Sequence, residues 1–202
     1  MQIYGSFFFG IWIKFFFLLT PFFVLSTFLS MTQRYEARER RKLALRVTVA
    51  VLVACFTLYF FGNTLFSLFG ITLDSFRIGA GALLFLSAVQ LVYGDDKAPP
   101  GGEREVISVV PLAIPITVGP GTTGALLVMG AEIQQSWEIL VGCAALATAV
   151  LCIGLLLFCA ASIEHLIGKR GIIILSKITG LFVAALAAQI VFTGIRNFMT
   201  AG

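Results

Sequence analysis

Charge is what this chain has least of. Fourteen Lys and Arg and ten Asp and Glu make up 12% of its 202 residues, where soluble domains carry about 25%. Too few remain to clothe a water-exposed surface, and 59% of the residues are hydrophobic, with a mean hydropathy of +1.01. A soluble globular fold is excluded, and an all-α integral membrane protein is expected. Histidine occurs once, as His165, so an H-E-x-x-H metal site cannot be built. There is no clustered Ser/His/Asp and no carboxylate pair within an apolar run, so neither an enzyme nor a cofactor is expected. The four cysteines, Cys55, Cys143, Cys152 and Cys159, all lie in apolar runs and lack C-x-x-C spacing. They read as small buried hydrophobes. The apolar start lacks a basic flank and an A-x-A cleavage site and is interrupted by Lys14. It reads as an interfacial stretch entering the first span rather than a signal peptide, with Lys14 at the boundary.

What is present is a series of apolar runs, at about 8–31, 43–66, 75–93, 106–130, 138–161 and 172–195. Each matches the roughly 20 residues that a membrane helix needs. Six spans in one transmembrane domain, residues 1–202, follow. The net charge is +4, but it is concentrated in one short loop that carries Arg34, Arg38, Arg40, Arg41 and Lys42. That pattern signals orientation rather than a nucleic-acid face. Lys97 and Arg104 in the third loop and Lys169 and Arg170 in the fifth fall on the same side. The first, third and fifth loops are therefore expected in the cytoplasm, with both termini periplasmic or extracellular. Arg196 is a mild exception.

The linker GDDKAPPGGERE, about 95–105 at its core, divides the chain into halves of about 1–94 and 106–202. The halves look related. Ala88-Val89-Gln90-Leu91-Val92-Tyr93 matches Ala187-Ala188-Gln189-Ile190-Val191-Phe192, 99 positions later, and Pro21 falls on Pro120 at the same offset. Three spans per half would place the halves in opposite orientations, the inverted repeat found in many secondary transporters.

The run PLAIPITVGPGTTGA, 111–125, holds three prolines and three glycines at membrane depth. Pro115 and Pro120 each remove a backbone donor, and Gly119 and Gly121 offer conformational freedom. Span 4 is expected to unwind there. Irregular backbone at that depth survives only in a protein interior or beside a wet cavity. The half-helix ends, with Thr117, Thr122 and Thr123, form a candidate seat for a small polar solute. In span 1 the matched place is Thr20-Pro21, which has no glycine and is expected to kink or break. Gln90 and Gln189 either touch substrate or bond between helices. Asp74 and Arg77, where span 3 begins, can pair at the interface.

The stretches VVPLAIPITVGPGTTGA (109–125), FGITLDSFRIGAGALLFL (69–86) and GLFVAALAAQIVFTGI (180–195) resemble the MarC family of bacterial inner-membrane proteins. The resemblance runs over nearly the whole chain. It implies six spans in two repeats, a relation to LysE-type exporters, and transport of small neutral amino acids. It also implies a bacterial inner-membrane location, with a small-molecule substrate and membrane lipid as partners. The large lipid-facing perimeter is compatible with a homo-oligomer. The family's span 1 motif is Asn-Pro-x-Gly-x-x-Pro; here Thr20, Phe23 and Ser26 replace its Asn, Gly and second Pro. That departure keeps two other functions open, a channel or facilitator for a small solute or ion, and a non-transporting membrane scaffold.

Overall fold

The computed structural model describes residues 2–94, 117–132 and 135–200. Pro111, Pro115, the linker and the first part of the expected span 4 lie outside them. The described residues form helices and no strand. These are α1 (Gln2–Leu18), α2 (Pro21–Met31), α3 (Ala37–Phe69), α4 (Leu73–Tyr93), α5 (Pro120–Glu132), α6 (Ser136–Phe158) and α7 (Ala160–Thr200).

Five segments among the described residues are long and apolar enough to cross a bilayer: Gly5–Met31, α3, α4, α6 and α7. The sequence led to an expectation of six. The difference lies at α5, whose 13 residues reach about 20 Å, short of the ~30 Å hydrocarbon core. The rest of that expected span is not among the described residues. The loops are tighter than the apolar runs implied. α3 begins at Ala37, where the Glu39 carboxylate accepts the Glu36 N–H at 3.4 Å. α4 begins after Thr72, whose hydroxyl oxygen accepts the Ser75 N–H at 3.2 Å. The expected fifth loop, carrying Lys169 and Arg170, is mostly helical. It is broken only at Gly168, with φ 74° and ψ 163°, a backbone that glycine alone adopts without strain.

The core gathers Phe15, Leu25 and Phe28 from the first segment, Val47 and Cys55 from α3, and Leu146 from α6. Leucines, valines and phenylalanines elsewhere on α3, α4, α6 and α7 are exposed. Helices apolar on all sides with an exposed perimeter are built for lipid.

The most extensive pairing is α4 against α7, and it is reciprocal. A Cβ on Gly81 would lie 2.6 Å from Val191 and 3.0 Å from the Ala187 carbonyl. One on Gly180 would lie 2.8 Å from Val92 and 3.3 Å from the Ala88 carbonyl. The two helices therefore run antiparallel, each glycine admitting the other helix's backbone. α5 is wedged between α3 and α4. Gly121 and Gly124 press on α4 at Leu84 and Ala80, and Gly62 of α3 and Gly130 of α5 press on Leu127 and Tyr59 across the α3–α5 seam.

Candidate functional site

The first span does not merely kink. α1 stops at Leu18 and α2 starts at Pro21. Between them Thr20 takes a left-handed backbone, φ 47° and ψ 58°, the only non-glycine residue with positive φ among the described residues. Proline disfavours the right-handed helical region for the residue before it, and the ring itself suits the first position of a new helix. The Leu19 and Thr20 N–H groups close α1 onto the Phe15 and Phe17 carbonyls at 3.1 and 3.0 Å. The Thr20 carbonyl opens α2 by accepting from Val24 at 3.0 Å.

The Leu18 carbonyl is left over. In a continuous helix its partner would be Phe22, four residues on, and Pro21 has no N–H to offer. The Thr122 hydroxyl donates to it at 3.3 Å. Thr122 stands in the first turn of α5, which begins at Pro120 as α2 begins at Pro21. The Gly119 carbonyl opens α5 by accepting from Thr123 at 2.8 Å. The two proline breaks, 99 residues apart in sequence, are thus in direct contact. An uncapped buried carbonyl costs about 1–3 kcal/mol, so the bond fixes the two breaks together.

Beside this junction, α1, α5 and α7 enclose a cavity of about 230 Å³. Its floor includes Leu18 and Ala125, and its polar wall is Lys14, Glu132, Gln189 and Thr193. Lys14 stands four residues, about 6 Å, before the break at Leu18 and well inside the segment Gly5–Met31. α1 begins at Gln2, so Lys14 stands within a helix rather than before one, and its exposed side chain lines the cavity.

Glu132 also belongs to a polar cluster that ties three helices. Its Oε1 accepts from Arg77 Nε at 3.1 Å and Nη2 at 2.8 Å. The Arg77 Nη1 donates to Asp74, the pair expected from the sequence. Asn197 of α7 donates to the same Asp74 oxygen at 3.3 Å. Arg77 is buried and links α4 to α5.

Of the residues read from the sequence, Gln189 lines the cavity. Thr20, Pro21, Thr117, Gly121 and Thr122 are buried at the junction; Gly119 and Thr123 are half-buried, and Pro120 is exposed. None of these lines the cavity, and neither does Gln90, which lies on an exposed face of α4. Pro115 lies outside the described residues. One expected role is corrected. Gly119 and Gly121 have no positive φ; Gly121 serves close approach, since a Cβ there would lie 2.6 Å from the Leu84 Cα. The left-handed residue is instead Thr20, at the break that has no glycine beside it. Glu132 and Thr193 were missed. They stand at a helix end and in an apolar run, with no local pattern to mark them.

A model of MarC family integral membrane proteins matches residues 5–199. The UPF0056 membrane protein YhcE of Escherichia coli is 32% identical, the match covering 96% of this chain and 93% of the relative. A UPF0056 membrane protein of Methanocaldococcus jannaschii is 31% identical over 89% of this chain and 91% of the relative. One from Aquifex aeolicus is 30% identical over 98% and 97%. No solved structure matches. With its broken apolar helices matched from end to end by that model, the chain belongs to the MarC family of integral membrane proteins.

Proposed function

We propose that the protein is a secondary carrier for small neutral amino acids or similar small polar solutes, working as two inverted three-span halves. The observation that carries this reading is the Thr122 bond to Leu18, which couples a proline break in each half. The packing supports it. Gly81 and Gly180, Ala88 and Ala187, and Val92 and Val191 are each 99 positions apart, and each glycine packs on the other half's alanine and valine. A two-fold relation between antiparallel helices produces that reciprocity. The pairing of α2 with α7 likewise has its counterpart in α5 with α4.

In this reading the substrate sits beside the breaks, between Lys14, Gln189, Thr193 and Glu132. The basic first loop faces the cytoplasm of a bacterial cell, with both termini outside the inner membrane and a homo-oligomer compatible with the lipid-facing perimeter. A second reading, a non-transporting scaffold, is favoured by the burial of Thr20, Thr117 and Thr122, since closed breaks need no substrate. The polar cavity favours the carrier, and buried breaks count against an open channel.

Purified protein in proteoliposomes is expected to show saturable counterflow of labelled glycine or alanine. Pro120→Leu should abolish it. Thr122→Val should lower it about fivefold, the equivalent of ~1 kcal/mol for one interhelical bond. No flux of any amino acid in either direction would overturn the carrier.

A further inference from the structure

On the opposite side of the molecule from the Arg77 cluster, a second cavity lies where α2 ends, α3 begins and α6 passes into α7. Its volume is about 290 Å³, and its wall includes Tyr35, Arg40, Arg41, Phe158 and Ser162. Four helix ends meet here, at Met31, Ala37, Phe158 and Ala160. In a chain whose helices cross the bilayer, such a place lies at headgroup depth.

Three features give the cavity a sign. The Arg40 guanidinium is held in place, Nη2 donating to the Thr32 carbonyl at 2.9 Å. Its Nε is buried and has no hydrogen-bond partner among the described residues. Arg41 stacks over the Phe158 ring, 5.0 Å from the centroid, which orients a second guanidinium while leaving its edges open. No carboxylate is among the described lining residues; the Glu39 carboxylate is turned to the Glu36 N–H at the helix start. The positive end of α3 adds to the same field, because helical bonding begins only with the Arg40 N–H, at 2.9 Å from the Glu36 carbonyl.

Two oriented guanidiniums and a Ser162 hydroxyl form the donor set that a tetrahedral oxyanion takes. The surroundings are apolar, with Phe158 half-exposed and Leu157 in the wall. We infer that this cavity binds the phosphodiester of an anionic phospholipid, its acyl chains lying along the exposed surface beside Phe158. A basic pocket between helices at headgroup level is the physical form such a site takes. The inference is independent of the carrier.

The test is native mass spectrometry of the full chain released from detergent with added phosphatidylglycerol, phosphatidylethanolamine or inorganic phosphate. The wild type is expected to retain phosphatidylglycerol in preference to phosphatidylethanolamine. Arg41→Gln, which gives up only a ring contact, should lower retention about fivefold, the effect of one basic residue near an anionic headgroup. Arg40→Gln should lower it at least as much. Arg34→Gln with Arg38→Gln removes two charges, twice the loss in either single variant, from the same loop but from outside the cavity wall, and should leave retention unchanged. Equal loss in that control would reduce the effect to the general charge of the loop and overturn the site. Equal retention of phosphatidylethanolamine, or displacement of lipid by inorganic phosphate, would overturn the anionic lipid as its ligand.

Discussion

Thr20 shows how one residue can hold strain for an architecture. A β-branched side chain in the left-handed region is unfavourable by about 1–2 kcal/mol, and asparagine tolerates that region far better. The motif that this stretch resembles has Asn at this position, before the proline. The geometry supplies the reason: the residue must leave the helical region ahead of Pro21 and turn the chain. Thr20→Asn is therefore expected to stabilise the protein by about 0.5–1 kcal/mol, read as a higher melting temperature in detergent. A lower one would mean that Thr20 is not left-handed. The break was visible in the sequence through its proline, and the strain was not. The usual signal for a left-handed turn is glycine, and here the glycines stand at the other break, where they serve packing.

α5 is the element that decides the site. It is short, it starts at a proline, and small residues let it press on α3 and α4. Its C-terminal Glu132 meets Arg77 of α4, 55 positions away in sequence. The acid is 42% exposed and the arginine 10%, so solvent screens the pair. A double-mutant cycle with Glu132→Gln and Arg77→Gln is expected to give a coupling of about 0.5–1 kcal/mol. Zero coupling would remove the bridge between α4 and α5. Arg77→Gln alone should cost more than Glu132→Gln, because Arg77 also holds Asp74, and through it Asn197. The Asp74–Arg77 half of this cluster was legible, being three residues apart on one helix. The Glu132 half depends on where α5 docks, which no local pattern encodes.

For the whole molecule, the exposed apolar perimeter and the arginine-rich turn at one end set how it sits in the bilayer. In the proposed orientation Gly5 faces the periplasm and Gln33 the cytoplasm. Both positions are exposed, and nothing lies within 4 Å of a Cβ built on Gly5. In a background lacking the four native cysteines, Gly5→Cys should react with a membrane-impermeant maleimide on intact cells, and Gln33→Cys only after lysis. The reverse pattern would invert the topology.

Composition and hydropathy alone determined that the chain is helical and lives in a membrane, because lipid leaves the backbone few other ways to satisfy its hydrogen bonds. Proline marked the first span near Pro21 and the stretch from Pro115 to Gly121 as places where a helix kinks or breaks, because a residue without an N–H suits a helix start better than its middle; the restarts at Pro21 and Pro120 themselves were decided by the structure. Tertiary structure alone decided that the two breaks touch through Thr122 and Leu18 and that Lys14, Gln189 and Glu132 share one cavity. It also decided that Gly121 is needed for contact rather than for flexibility. Such pairings join residues far apart along the chain, and they are set by how whole helices pack, which side-chain periodicity within one helix does not specify.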